Sequence, residues 1–255
     1  MSDLVIRPVT GIGDICPGDD LAAVIAAAAP WLADGDVLVV TSKIVSKAEG
    51  RLVDVPLSGP ERDAARTEAL RAETAAVVAT RGPTRIVRTH HGFVMNGAGI
   101  DASNVHPGQL ALLPKDPDAS ARALRSDLRE RHCLRVAVVI SDTAGRAWRL
   151  GQTDLALGCA GLAPLRDHRG QTDPYGNGLS VTQIAVADEL AAAAELVKGK
   201  TDGVPVAVVR GYGGLTGHEP DGPGVVVTLR AAADDMFGQG ADEAYAAGRA
   251  SYHAD

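Results

Sequence analysis

The segment Val136-Ala137-Val138-Val139-Ile140-Ser141-Asp142-Thr143-Ala144-Gly145-Arg146 joins a run of five apolar residues to a polar stretch. A short apolar run of this kind is typical of a strand buried in a sheet. It predicts a strand over residues 136–140 that delivers a carboxylate, two hydroxyls and a guanidinium at its carboxyl end. Similar runs lie at residues 37–40 and 204–209. Helical segments separate the three runs, so the chain predicts a mixed α/β (α+β) fold.

Caps, composition and apolar spacing predict the remaining elements. Pro17-Gly18-Asp19-Asp20 supplies turn and capping residues for a first helix over the alanine-rich run that ends near Pro30. Four more helices are predicted, over residues 60–80, after Asp116-Pro117-Asp118, over residues 182–198 and over residues 241–253. A first strand is predicted at residues 4–6, and a hairpin at residues 84–89 and 93–96 around His90-His91-Gly92. No repeat or evident linker divides the chain, so residues 1–255 are expected to form a single unit, with two lobes as the open alternative.

The composition disfavours several classes of function. Aromatic residues make up 3% of the 255-residue chain and the formal net charge is -7. The low aromatic content disfavours single-stranded nucleic acid, whose bases stack on aromatic side chains. The negative net charge disfavours nucleic acid in general, because its phosphates bind clustered Lys and Arg. The three cysteines form no Cys-x-x-Cys pair, as expected of a reduced, cytoplasmic protein. The chain starts without a basic secretory signal, and its longest apolar run, residues 21–33, is too short to span a bilayer, so no membrane partner is expected.

The polar residues after the central apolar run suit an anion that is bound through a metal ion. The carboxylate of Asp142 and the hydroxyls of Ser141 and Thr143 are hard oxygen ligands for Mg²⁺ or Mn²⁺. The planar guanidinium of Arg146 binds phosphate or carboxylate groups. The alternative is a capped turn in which Asp142 accepts hydrogen bonds from backbone amides only.

Two other polar segments could join the same site. Residues 96–104 contain glycines that let the backbone approach a ligand, and their Asp101 could share a metal ion with Asp142. Residues 41–47 follow the strand at 37–40, at the edge where open α/β sheets commonly bind ligands, and their Lys47 is a reasonable phosphate partner. Asx-rich turns and solvated surface lysines are the alternatives for these two segments.

The known nucleotide fingerprints are absent from the sequence. Gly199-Lys200-Thr201 matches only the end of a P-loop, because Ala194 occupies the first glycine position. Gly11-Ile12-Gly13 lacks the third glycine of a dinucleotide loop. Any nucleotide must therefore be held in another way, and the glycine-rich residues 210–214 are one candidate loop. No zinc-protease or nucleophile-elbow motif occurs either.

Three segments taken together resemble the coenzyme F420 gamma-glutamyl ligase family. They are VTSKIVSKAEGR at residues 40–51, GIDASNV at 99–105 and SDTAGRAWR at 141–149. The likeness runs from about Leu4 to at least Arg210 and continues through GQTD at 151–154, DPYGN at 173–177 and LVKGK at 196–200. Several segments in the right order make a chance match improbable.

Members of that family join L-glutamate to coenzyme F420-0 with GTP and Mg²⁺ or Mn²⁺, and then add further gamma-linked glutamates. The resemblance implies an acyl-phosphate intermediate, two divalent ions and a possible K⁺. It also implies a family-specific α/β fold and a homodimer with the active-site cleft near the subunit interface. Actinobacterial relatives often continue into a nitroreductase-like flavin domain, which we do not expect in a chain that stops at Asp255. A non-catalytic binder of nucleotide or deazaflavin, and another NTP-dependent amide ligase or kinase, are the alternative functions.

The resemblance also assigns roles to single residues. Asp101 and Asp142 would be metal carboxylates, and Thr143 would help to hold a second ion. Lys47 would complete the neutralisation of phosphate charge and is counted with the two aspartates as catalytic, whereas Arg146 has only its chemistry to support a similar role. The positions expected to contact GTP are Ile12, Gly13, Asp14, Ile15, Ser42, Lys47 and Asn104.

Overall fold

The computed structural model describes residues 3–213 and 220–235, together with Tyr245 and Arg249. The helix predicted over residues 241–253 lies, apart from those two positions, outside the described residues, as does Gly214 of the glycine-rich loop. Within the described residues the helices are α1 (Leu21–Ala28), α2 (Ser42–Ala48), α3 (Pro60–Glu73), α4 (Pro117–His132) and α5 (Val186–Lys198). The strands are β1 (Val5–Val9), β2 (Val37–Thr41), β3 (Leu52–Asp54), β4 (Thr74–Arg81), β5 (Thr84–Thr89), β6 (Val94–Asn96), β7 (Gln109–Ala111), β8 (Ala137–Arg146), β9 (Arg149–Ala160), β10 (Arg166–Asp167), β11 (Gln183–Ile184) and β12 (Val206–Arg210).

A five-stranded sheet in the order β1-β12-β2-β8-β9 forms the centre of the fold. β2 and β8 run parallel, and the other neighbouring strands are antiparallel. Residues of α1, α2 and α4 join the apolar cluster on one face, and residues of α5 join the cluster on the other. A strand covered on both faces reads as an unbroken apolar run, which is why residues 37–40 of β2 are completely buried. The predicted mixed α/β class is confirmed.

Three small sheets complete the described fold: β3 with β7, β4-β5-β6, and β10 with β11. The first two share an apolar cluster that includes Val87 and Leu110 and is separate from the clusters of the central sheet. The predicted hairpin around residues 90–92 is confirmed, since β5 and β6 pair antiparallel across that turn. Among the described residues, no helix combines the length and the apolar character that a membrane crossing requires.

Two helix boundaries differ from the prediction. The helix expected over residues 60–80 ends at Glu73, because the β-branched Thr74, Val77 and Val78 that follow belong to β4, which pairs with β5. The helix expected over residues 182–198 begins only at Val186, since the preceding residues form β11. The N-cap of α1 was predicted correctly: the carboxylate of Asp20 accepts a hydrogen bond from a backbone N–H of the first turn.

The strand predicted over residues 136–140 does not end there. β8 continues to Arg146, because β9 folds back beside it and supplies backbone partners for the polar residues. Ser141, Asp142 and Thr143 therefore lie inside a hairpin and not in a loop after a strand. Next to Ser141 the pairing shifts by one residue, so that Leu157 of β9 is the extra residue of a β-bulge.

Candidate functional site

A cavity with a volume of about 370 Å³ opens at the edge of the central sheet where β2 ends and β12 begins. Its walls come from the loop before α1, from α2, from the middle of the β8–β9 hairpin, and from the segment between α5 and β12. This position, beyond the carboxyl end of a parallel strand, is where open α/β sheets commonly bind ligands. We call it the sheet-edge cavity.

Many of the residues predicted for the site line this cavity. They are Ile12, Gly13, Asp14, Ile15, Lys47, Asn104, Asp142 and Thr143. These residues arrive from four separate parts of the chain, so the fold brings together segments that the sequence could only treat one by one. Their individual roles remain predictions.

Asp142 is the most perturbed acid of the cavity. Burial raises the pKa of its carboxyl group to about 6, against the partly opposing effects of the Thr143 backbone N–H and the Lys43 ammonium. The Thr143 N–H donates to Asp142 Oδ1 over 2.9 Å. Within the described part of the chain Asp142 forms no ion pair, so the carboxylate lacks a bonded cation of its own. A carboxylate whose pKa is raised by desolvation, and which has no ion-pair partner, favours a proton or a bound cation.

Asp101 lies beside the cavity and is tied to it through Lys43. The Lys43 ammonium contacts Asp101 Oδ2, and the Ser103 backbone N–H and hydroxyl each donate to this carboxylate over 2.7 Å. Burial alone would raise the pKa of Asp101, but the hydrogen bonds from Lys43 and Ser103 outweigh it and lower that pKa to about 2. Burial also lowers the pKa of Lys43, which Asp101 and Asp142 partly oppose. The Lys43 ammonium thus lies near both acids but is bonded only to Asp101.

The donor atoms at this edge fit a hard divalent cation. Two carboxylates, of Asp101 and Asp142, and the hydroxyl of Thr143 are the oxygen ligands that Mg²⁺ and Mn²⁺ prefer. In residues 3–213 and 220–235, no group of three or more His, Cys, Asp and Glu side chains converges as a metal cluster. A cation here would therefore need further oxygens from water or from substrate phosphates, as is usual for Mg²⁺.

Lysines give the cavity its capacity for phosphate. Lys43 and Lys47 line it from α2, and Lys200 lines it from the other side. Lys47 forms an ion pair with Asp14, which is largely exposed, and this contact lowers the pKa of Asp14. Across the cavity mouth, Asn104 Nδ2 donates to the Lys200 carbonyl over 3.5 Å. Three ammonium groups around one cavity suit a polyphosphate.

Asp154 and Lys198 are functional candidates that the sequence reasoning did not single out. Both are 2% exposed, and Lys198 Nζ donates to Asp154 Oδ2 over 2.7 Å. The Thr143 hydroxyl donates to Asp154 Oδ1 over 2.9 Å, and the Ser141 hydroxyl donates to Oδ2 over 2.8 Å. The pair is therefore hydrogen-bonded to Ser141 and Thr143, the two hydroxyl residues that flank Asp142.

A signal for one of these residues was present in the sequence. Lys198 continues the buried stripe of α5 at a spacing of four residues after Leu190 and Ala194. A lysine on such a stripe must find an acid inside the protein. The partner, Asp154, comes from a different strand, and the sequence gives no local indication of that contact.

Three predicted site residues do not line the cavity, and the first of them, Asp101, lies beside it in contact with Lys43. Ser42 is buried at the start of α2. Arg146 is exposed near the tip of the β8–β9 hairpin, where its guanidinium donates to the carbonyls of Leu150 and Gly151. Arg146 follows Thr143 by three positions along an extended strand, a distance of about 10 Å. The structure therefore brings together the carboxylate and hydroxyl of the motif but not its guanidinium.

The glycine-rich loop after β12 lies away from the sheet-edge cavity. β12 leads from the cavity, at Pro205, to Arg210 at its opposite end. There the Arg210 guanidinium bonds to both carboxylate oxygens of Asp36, over 2.6 and 2.7 Å. The described residues of this loop, 210–213, thus border a different surface together with residues 33–36. The nucleotide contact considered for residues 210–214 stays a prediction.

A second cavity, of about 500 Å³, lies at the start of α4, beside β9. We call it the helix-face cavity; Arg51, Glu73, Asp118 and Leu157 are among its lining residues. One guanidinium nitrogen of Arg51 donates to both oxygens of Glu73 over 2.9 Å. Asp118 accepts N–H groups from β9 and from residues 225 and 226.

Comparison with known proteins gives a consistent result. A model of the family described as F420-0:Gamma-glutamyl ligase matches residues 11–211. The chain is 40% identical over 245 residues to the coenzyme F420:L-glutamate ligase of Methanothermobacter thermautotrophicus, covering 90% of this chain and 96% of the relative. It is also 40% identical over 220 residues to the protein of the same name from Methanopyrus kandleri, covering 82% of this chain and 87% of that protein. A like-named protein of Natronomonas pharaonis is 43% identical over 220 residues, or 79% of this chain and 84% of the relative.

Proposed function

This chain belongs to the F420-0:gamma-glutamyl ligase family, and we propose that it adds L-glutamate to coenzyme F420-0 in a GTP-dependent reaction. It is a ligase of coenzyme F420 biosynthesis. One observation carries the proposal beyond that class. The half-buried Asp142 and the lysines Lys43, Lys47 and Lys200 meet in one cavity, as a metal-bound polyphosphate requires.

The nucleotide is proposed to bind with its phosphates between α2 and the Gly199-Lys200 segment. Lys47 and Lys200 reach the cavity from opposite sides, and both would neutralise phosphate charge. Residues 12–15 and Asn104 line the same cavity and would hold the remainder of GTP. This arrangement needs no P-loop, in agreement with the missing fingerprint.

Asp101, Asp142 and Thr143 are the residues that would hold Mg²⁺ or Mn²⁺. When bound, a divalent ion neutralises phosphate charge and fixes the phosphate oxygens in line for transfer. The residues of the chain must first make room for it. Lys43 occupies Asp101 Oδ2, so its ammonium must move from that oxygen towards the phosphates when a cation binds.

The proposed reaction has two steps. An oxygen of the precursor carboxylate attacks the γ-phosphorus of GTP, and GDP leaves as the bond to the bridging oxygen breaks. The amine of L-glutamate then attacks the acyl carbon, inorganic phosphate leaves with the bonding electrons, and the amine loses a proton to form the amide. The task of the protein is positioning and charge neutralisation, performed here by Lys43, Lys47 and Lys200.

Incubation with F420-0, L-glutamate, GTP and Mn²⁺ tests the proposal directly. Mass spectrometry is expected to show glutamylated products, with one GDP formed for each amide. Parallel reactions with ATP, with Mg²⁺ and with added K⁺ define the nucleotide and ion requirements. Metal-independent GTP binding without any product would contradict the proposal and favour a non-catalytic binder. Sedimentation of the same sample tests the proposed homodimer.

A further inference from the structure

We propose that Asp154 and Lys198 form a buried positioning pair that orients the Thr143 hydroxyl as a ligand for a divalent cation. Neither residue would touch the cation itself. The inference rests on the proposed metal-dependent function and adds two residues, far from each other in sequence, to the site. It concerns residues of this chain alone and can be tested without turnover.

Asp154 borders the sheet-edge cavity, and its hydrogen bonds suit an acid that holds a neighbouring metal ligand in place. Its Oδ1 accepts the Thr143 hydroxyl over 2.9 Å. Its Oδ2 accepts both the Ser141 hydroxyl, over 2.8 Å, and the Lys198 ammonium, over 2.7 Å. Both carboxylate oxygens are thus engaged, and the residue is 2% exposed.

The same contacts determine what Thr143 offers to the cavity. A threonine hydroxyl has one hydrogen to donate and two lone pairs. Because its hydrogen is donated to Asp154, the oxygen can present lone pairs to the cavity that Thr143 lines. Acids that orient a metal ligand from behind are a general device of metal sites, and their loss typically weakens metal binding by about 10- to 100-fold.

Lys198 fixes this acid in place and has no hydrogen left for a phosphate. Its ammonium donates to Asp154 Oδ2 and, over 2.9 Å, to Ser141 Oγ. Its third neighbour is Glu195 Oε2 at 3.4 Å. Lys198 thus differs from the other lysines of the cavity, since its charge is used inside the protein.

The test must separate positioning from folding. Removing one member of a buried ion pair destabilises a protein strongly, but replacing both members together is often close to neutral. The informative variant is therefore Asp154→Asn with Lys198→Met, which removes both charges and keeps similar side-chain volumes. Lys115→Met, at an exposed lysine outside this cavity, is the matched control.

Mn²⁺ binding in the presence of saturating GDP is measured from the paramagnetic resonance signal of free Mn²⁺. The charge-free double variant is expected to unfold at nearly the wild-type urea concentration and to bind Mn²⁺ about 10-fold or more weakly. Thr143→Val should show a similar loss, and Thr143→Ser should retain binding within about threefold. Combining Thr143→Val with the double variant should cause no further loss, because both act on one hydroxyl.

Wild-type Mn²⁺ affinity in the double variant would overturn the inference. So would a larger loss of Mn²⁺ affinity when Thr143→Val is combined with the double variant than either shows alone. So would a wild-type protein that does not bind Mn²⁺. Failure of the wild type to glutamylate F420-0 would instead count against the proposed function. The two failures are therefore distinguishable.

Discussion

The two cavities of this protein differ in how their charged groups are used. In the larger helix-face cavity, Arg51 is paired with Glu73, and Asp118 accepts three backbone N–H groups. In the smaller sheet-edge cavity, Asp142 has no ion pair with a described residue and its pKa is raised. Arg51, Glu73 and Asp118 hold elements together, whereas Asp142 retains charge that a ligand can satisfy. Volume alone would select the helix-face cavity.

The contrast is clearest for the buried Asp118 and the half-buried Asp142, two acids on elements that pack together. Asp118 joins α4 to β9 and to the segment at residues 225–226 through hydrogen bonds of 2.7 to 3.2 Å. Asp142 receives a single backbone hydrogen bond. Substitution of Asp142 should therefore affect turnover, whereas substitution of Asp118 should affect stability.

The largest effect is expected for Asp142→Ala. Loss of this carboxylate should lower turnover of F420-0 by at least about 100-fold, as is typical when one electrostatic stabiliser is removed. Glu73→Gln, in the helix-face cavity, is the matched control and should leave turnover within about twofold. Steady-state kinetics on both folded variants measure the difference. Equal losses of turnover in Asp142→Ala and Glu73→Gln would contradict the assignment of the reaction to the sheet-edge cavity.

Asp118→Ala should have the opposite profile. Removing its carboxylate leaves three N–H groups without this acceptor, two of them buried, which should lower the free energy of unfolding by about 2 to 4 kcal/mol. Urea titration measures the loss. The protein that remains folded should keep most of its kcat. A stable but inactive variant would show that Asp118 acts in the reaction.

A smaller effect is expected from pH, through Asp142. Burial raises its pKa from 3.8 to about 6, so folding favours the protonated form. The stability from this group is therefore complete below about pH 4 and is lost as the pH rises through 6, a change on the order of 1 to 3 kcal/mol in metal-free protein. Asp142→Asn should remove this part of the pH dependence, and Mn²⁺ should restore stability to the wild type at pH 7. If the free energy of unfolding, measured by urea titration, changed with pH in the same way in the wild type and in Asp142→Asn, the assignment to Asp142 would be wrong.

The smallest prediction concerns the cysteines. Cys16 and Cys133 are exposed, whereas Cys159 is buried next to Asp118. Burial, reinforced by the charge of Asp118, raises the pKa of the Cys159 thiol to about 12. At pH 8 a thiol reagent should therefore label two cysteines quickly and the third only on unfolding. Mass spectrometry after timed quenching identifies the labelled residues. Fast labelling of Cys159 would show that β9 separates readily from α4.

Much of the fold could be predicted where the signal is local. The apolar run of β2 and the Asp20 cap of α1 are properties of a few adjacent residues, and both predictions are confirmed. The end of β8 was predicted wrongly because its partner strand lies beyond a turn and supplies hydrogen bonds that no local pattern shows. The boundary between α3 and β4 failed for the same reason, since pairing with β5 determines it.

The candidate site shows the same division. The sequence identified the segments with Asp101, Lys47 and Asp142, because acids and lysines near strand ends are visible one segment at a time. It did not identify the contact between Asp154 and Lys198, which depends on the packing of α5 against β9. Arg146 was grouped with Asp142 by its spacing, but an extended strand carries it about 10 Å past Thr143.

The bulge at Leu157 limits how the chain can change its length. It allows Ala156 and Cys159, three residues apart, to lie on the same face of the sheet. β9 is also constrained where it approaches α4, because a side chain at Gly158 would come within 2.3 Å of the Pro117 backbone. Deleting one residue between Asp154 and Gly158 would turn that acid to the opposite face, away from Lys198. Insertions and deletions in this family should therefore accumulate at the exposed hairpin tip and be rare in the few residues that follow Asp154.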